Sequence, residues 1–209
     1  MRPANSREDQ AKSVVDFWLD VDPHDAAALQ SRWLRWFGSD PECDREIAER
    51  FGGLVAEAAA GRLTAWAATS EGRLALILLL DQFPRSLFRG SSAAFAHDAM
   101  ALALTEEGMA LGADRHLSPL ARVFFYMPLQ HAESPSAQRE AVRVFDELSR
   151  EPAPAPIAKL LADAAHYARL HADIIAKFGR FPHRNRSLGR ESTAAERAYL
   201  DDGGPTFGQ

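Results

Sequence analysis

The segment Phe178-Gly179-Arg180-Phe181-Pro182-His183-Arg184-Asn185-Arg186-Ser187-Leu188-Gly189-Arg190 carries four arginines, a histidine and an asparagine, and no acid. An arginine presents a fixed fork of donors, Asn185 can donate and accept, and the glycines allow close backbone approach. Such a segment is equipped to hold a carboxylate or a phosphate. The same composition also suits a clasp, in which the arginines pair with acids such as Asp81 and Asp98, or a contact with another protein. A second group is Leu80-Asp81-Gln82-Phe83-Pro84-Arg85, at the end of the apolar run Leu74 to Leu80. An anion there is disfavoured by the helix dipole and by burial, so Asp81 needs a partner. Arg85, Arg89 and the late-loop arginines are the candidates. The result is either an ion pair that fixes the helix end or a carboxylate that orients a ligand-binding arginine.

The histidines form a third group. His131 closes Phe125-Tyr126-Met127-Pro128-Leu129-Gln130-His131, where Pro128 removes a helical hydrogen bond. Its spacing from Phe124 and Met127 puts the imidazole on an apolar face, with Tyr126 and Gln130 on a neighbouring one. His171 continues the stripe Leu160, Ala164, Tyr167, His171, Ile174, Phe178 and therefore points inward. His166 falls on another side, so the two do not make a helical metal pair. No zinc-finger, zincin or di-iron spacing occurs, nor a nucleophile elbow, P-loop or dinucleotide glycine motif. No metal and no cofactor are expected, and no catalytic residue is assigned. His131, His171, His183, Tyr126 and Asp81 could still converge as acid–base groups, which is a matter of geometry.

The elements that must position these groups are helices. Apolar residues recur at helical spacing almost throughout and β-branched alternation is nearly absent, so the chain reads as all-α. Gly38 ends a helix that starts near His24, and Asp44 opens one that Gly61 closes. Leu74 to Leu80, apolar all round, marks a central helix surrounded by others. Ser91 or Ser92 is expected to cap a helix carrying Phe95, Ala99 and Leu102. Ser118-Pro119 and Ser134-Pro135 are start signals for helices over about 119–131 and 135–149. The prolines 152, 154 and 156 make a stiff connector near 151–156. One helix then spans Ile157 to Phe178, stopped by Gly179. Thr193 and Glu196 have capping-box spacing for a short last helix, followed by a flexible tail of about 201–209.

At 209 residues and 46% hydrophobic, the chain is expected to form a single domain over 1–209. Its 24 Lys and Arg against 29 Asp and Glu exclude a general nucleic-acid or anionic-membrane surface. Any anion binding must be local. All cations but Lys12, Lys159 and Lys177 are arginine. The lone Cys43 rules out an internal disulfide, and its acidic neighbours argue against a reactive thiol. Met1-Arg2-Pro3 opens no apolar signal core, and Leu74 to Leu80 is too short to span a bilayer. A cytoplasmic protein is expected.

On these three segments the chain resembles the bacterial domain-of-unknown-function family nine hundred and twenty-four, from about Val14 to Leu200. The resemblance implies a TPR-like bundle of antiparallel helix pairs. No thirty-four-residue repeat supports that independently. It implies no activity. The leading expectation is that the three segments meet at a polar pocket for a small anionic or zwitterionic metabolite. Arg184, Arg180 and Arg85 would hold the anion, Asp81 would orient one of them, and His131 or His183 would supply a titratable hydrogen bond. Tyr126, His171, Asn185 and Arg190 complete the expected lining. One alternative is a protein- or peptide-interaction module with Trp33, Trp36 or Trp66 accessible. Another is a hydrolase or lyase using the histidines. A protein partner or a second copy of the chain is left open.

Overall fold

The computed structural model describes residues 6–38 and 40–207. The reading of Met1 to Pro3, and the last two residues of the tail, lie outside these. Ten α-helices follow one another, and no strand occurs among the described residues. They are α1 (Arg7–Leu19), α2 (Ala26–Phe37), α3 (Pro41–Ala59), α4 (Ser70–Ile77), α5 (Phe83–Leu87), α6 (Asp98–Ala110), α7 (Pro119–His131), α8 (Pro135–Leu148), α9 (Ala155–Phe178) and α10 (Ala194–Asp201).

The starts are set by side chains that satisfy otherwise orphaned N–H groups. Ser118 and Ser134 accept from Ala121 and Ala137 at the heads of α7 and α8, each with proline in the first turn. At α10, Thr193 and Glu196 complete the reciprocal capping box. Gly179, at φ 71°, ends α9 in the left-handed region that glycine adopts without a Cβ clash. Three starts differ from expectation, the first being α9, which begins at Ala155 inside the proline connector because Pro156 is accommodated in its first turn. Helix α3 opens at Pro41, because the Asp40 carboxylate accepts from the N–H groups of Glu42 and Cys43, so Asp44 lies inside the first turn. Ser91 makes no side-chain cap, and Phe95 lies in a short 3-10 turn, Ser92–Phe95, that precedes α6.

Helix α4 is the centre, as its apolar surface requires. Leu74 to Leu80 are all buried, and α4 packs on α1, α6 and α7. Helices α7, α8 and α9 pack on one another, and α3 packs on α5. A second, small apolar cluster of Ile174, Ile175 and Phe181, flanked by Phe178, Tyr199 and Phe207, lies beneath the late loop. Between α4 and α5 the backbone widens into a π-helical turn over Leu78–Gln82, closed by Phe83 N–H to Leu78 C=O. Such turns are rare and concentrate at functional sites. Asp81 and Gln82 project from it. Among the described residues no helix is long and apolar enough to cross a membrane.

Close packing sets one sharp requirement. A Cβ at Gly108 of α6 would lie 2.5 Å from Arg73 Cδ and 2.6 Å from Phe125 Cζ. Arg73 cannot retreat, since its guanidinium donates to Leu104 C=O, Ala67 C=O and Glu107. Gly108→Ala is therefore expected to lose about 1–2 kcal/mol net, overpacking outweighing the gain in helix propensity. A urea melt measures it, and an unchanged or raised midpoint contradicts the packing argument.

Candidate functional site

Asp81 is fully buried on the π-helical turn, within a helical run that continues to Leu87 rather than ending here as expected, and three side chains make that burial tolerable. Its two oxygens lie 2.8 and 3.0 Å from His131 Nδ1. Gln82 Nε2 donates to it at 2.6 Å, and Arg85 Nη1 stands 3.2 Å from Oδ1 while also donating to the Asp81 carbonyl. Arg85 continues into a bidentate pair with Asp98, both bonds 3.0 Å. Arg184 joins the far side, its Nη1 3.4 Å from Asp98 and 2.9 Å from the carbonyl of His131. The three segments singled out in the sequence thus meet in one chain of charges.

Burial pushes the Asp81 carboxyl upward, but Arg85 first, then His131 and Gln82, hold it well below the usual carboxylate range. An ionised Asp81 accepts only, so His131 carries its proton on Nδ1, and Nε2 is left as an acceptor. Burial, then the Arg85 charge, lower the His131 pKa despite Asp81. Burial takes His171 down to about 3 and, with the Arg184 charge, His183 down to about 4. His171 Nδ1 donates to Tyr167 C=O at 2.8 Å. All three imidazoles are neutral at pH 7. Arg184 is itself lowered to about 10, by burial and then by the neighbouring Arg85.

These groups form one end of a cavity of about 300 Å³, at the lower end of the range for small-molecule sites. Arg85, His131, His171, His183, Arg184 and Gln130 line the polar end. Trp18, Trp33, Trp36, Phe145, Leu160 and Tyr167 supply an apolar, largely aromatic part of the wall, and Arg35 and Arg89 also line the cavity. Arg184 is clamped between rings, with its guanidinium carbon 4.7 Å from the Phe95 centroid and 4.5 Å from that of Phe181. Arg85 Nε, Arg184 Nε, His183 Nδ1 and Gln130 Oε1 are buried without a protein partner.

The remaining expected site residues lie elsewhere. Tyr126 does not line the cavity. Five residues before His131, it sits about 140° around α7, where its hydroxyl donates to Asp114 at 2.5 Å and accepts from Arg122. Burial, with that bond, pushes it up to about 12. Arg180, Asn185 and Arg190 are also outside. Arg180 pairs with Glu196 at 2.7 and 2.9 Å, and Arg190 with Glu133 at 2.6 and 2.9 Å. Asn185 bridges Arg190 and Ser192. Glu133, set aside in the sequence as too weak a companion for His131, further accepts from the Phe181 N–H. The late loop is therefore divided, with Arg180, Asn185 and Arg190 clasping it to α10 and to the α7–α8 turn, and His183 and Arg184 facing the cavity.

Phe95, Phe181 and Phe207 were not singled out in the sequence. Flanking an arginine cluster is the signal for Phe181, whereas Phe95, six residues from Arg89, carries none. The segment read as a tail runs back so that the Phe207 ring stacks on His171, centroids 3.7 Å apart and planes within 15°. Trp36 and Trp66 are buried, and Trp33 is half-buried against Phe37 and Tyr167. Among the described residues no group of three or more His, Cys, Asp or Glu side chains is placed to hold a metal ion.

The model of a family described as bacterial protein of unknown function, DUF924, matches residues 14–204. No curated protein matches the chain. The solved structure of a protein of unknown function, ATU0120, from Agrobacterium tumefaciens is similar at 36% identity and a TM-score of 0.80, covering 95% of this chain and 100% of that one.

The neutral histidines make stability depend on pH. His171 and His183 resist protonation in the fold down to about 3 and about 4, whereas the unfolded chain takes up these protons near 6.5. Between those limits the unfolded state binds more protons, so stability falls as pH falls. His171→Asn is expected to flatten part of that slope, read as urea midpoints at pH 7.5, 5.5 and 4.5. A slope equal to that of the wild type contradicts the assignment.

Proposed function

The chain belongs to the bacterial family of unknown function DUF924, and from the geometry of its cavity we propose that it binds a small anionic or zwitterionic molecule with an apolar body. The observation that carries this is Arg184. It is 5% exposed, and burial and Arg85 outweigh Asp98, so its pKa falls to about 10. A buried cation in that state is under-neutralised. A carboxylate in the cavity that Arg184 lines would restore the balance with charge-assisted hydrogen bonds to its guanidinium. The clamping rings hold the fork in one orientation, so little entropy is lost on binding.

The aromatic wall supplies the second half of the reading. Its rings offer burial to an acyl chain or a planar ring, and their faces would receive the ammonium group of a zwitterion. A TPR-like peptide groove is less favoured, because of the three tryptophans it would use only Trp33 is partly accessible, while Trp36 and Trp66 are buried. We read the bundle as TPR-like in its stacking of α7, α8 and α9, and the protein as cytoplasmic, in keeping with its single cysteine.

Octanoate and indole-3-acetate are suitable probes. At a hundred times Kd, either is expected to stabilise the fold by about 2.7 kcal/mol, raising Tm by roughly 5–10 °C. Arg184→Met should lose about 1.5–3 kcal/mol of that affinity, the worth of a hydrogen bond to a charged group. Differential scanning fluorimetry reads both, and the absence of a shift with octanoate, indole-3-acetate and inorganic phosphate contradicts the proposal.

A further inference from the structure

We propose that His131, oriented by Asp81, is a general base that activates water to hydrolyse a carboxylic ester whose acyl group occupies the aromatic end of the cavity. This rests on the binding reading above and extends it from a ligand to a reaction.

The geometry is that of a base with its orienting partner. His131 Nδ1 meets both oxygens of Asp81, a carboxylate with no exposed surface held rigidly by the π-helical turn. That fixes the tautomer and gives the Nε2 lone pair to the cavity, which His131 lines. The charged and titratable groups around the imidazole are Asp81 and Arg85 from the turn and α5, Arg184 and His183 from the late loop, and His171 from α9. His171 is the nearest imidazole, its ring centroid 6.1 Å away. Both arginines are cations that line the cavity, the donor type that stabilises a developing oxyanion. Among the described residues no serine, threonine or cysteine is hydrogen-bonded to His131, so the attacking group is water and not a side chain. Ser187, which lines the cavity, donates to Gly90 C=O.

The step balances with water alone. Nε2 takes a proton from water as the water oxygen bonds to the ester carbonyl carbon, and the carbonyl π pair moves onto its oxygen beside Arg184. When that pair re-forms the double bond, the bond to the alcohol oxygen breaks and that oxygen takes the proton from Nε2. Ester and water become acid and alcohol. The acid then ionises to the class of carboxylate that the polar end is suited to bind.

Turnover of 4-nitrophenyl octanoate tests this, with octanoate binding measured in parallel by differential scanning fluorimetry. His131→Gln, whose amide can still donate to Asp81, should lower turnover at least ~100-fold, the usual worth of a positioned general base, while octanoate still raises Tm. The wild-type rate should be flat from pH 8 to below 6.5 and fall only under that, because His131 is held below the ordinary histidine range. Asp81→Asn should lower kcat and move the acid limb to still lower pH, because the anion that raises the His131 pKa is gone. A purely structural role for Asp81 would not move that limb. A wild type that binds octanoate but hydrolyses the ester no faster than His131→Gln overturns this proposal and leaves the binding reading intact. A folded wild type with neither binding nor turnover overturns both. If His131→Gln does not fold, wild-type turnover that octanoate fails to inhibit, or that shows no acid limb, overturns it.

Discussion

A carboxylate sits inside the apolar core, on a π-helical turn within a helical run that continues to Leu87, where burial alone opposes its charge. Asp81 stays ionised only because Arg85, His131 and Gln82 converge on it. Removing one partner of such a buried pair typically costs 3–5 kcal/mol, because the remaining charge has no water to turn to. Arg85 passes the constraint to Asp98, and Asp98 shares it with Arg184. The end of α4, the end of α7, the head of α6 and the late loop are therefore tied to one another by charge, and the cavity is the space their polar ends enclose.

Two irregularities in otherwise regular helices make this convergence possible. The π-helical turn widens the backbone where Asp81 and Gln82 leave it. On the facing helix Pro128 deletes one backbone donor a single turn before His131. Neither feature helps a helix as a helix, and both fall at the site. The late loop carries its own fastening. Glu196 is lowered to about 2 by Arg180, and Glu133 is drawn below its ordinary range by Arg190 and the Phe181 N–H, against the effect of burial. Those pairs carry much of the loop's fastening, and Arg184, which shares Asp98 with Arg85, is left under-neutralised beside the cavity.

Much of the fold was legible because its signals are local. Ser118-Pro119, Ser134-Pro135 and the Thr193–Glu196 box each act within a single turn, and the Leu74–Leu80 run reports its own burial. The three polar segments were also legible, since a charged residue beside so apolar a run demands a partner. The division of labour among the arginines was not. Arg180 and Arg190 differ from Arg184 only in which distant acid each reaches, and Glu133 lies 57 positions before Arg190. Sequence spacing carries no record of such pairings outside a regular helix. The placement of Phe207 on His171 was hidden for the same reason, because a Gly- and Pro-rich segment has no periodicity to indicate a face. Tyr126 could have been set aside earlier, since a five-residue offset from His131 puts it on another side of α7.

A crystal structure of the protein grown with octanoate addresses the central claim most directly. The account predicts one octanoate in the cavity, its carboxylate within about 3.2 Å of an Arg184 nitrogen and its chain against Trp33 and Trp36. A carboxylate in solvent with the chain alone inserted, or a cavity that stays closed to octanoate while the Asp81 network is intact, would contradict it.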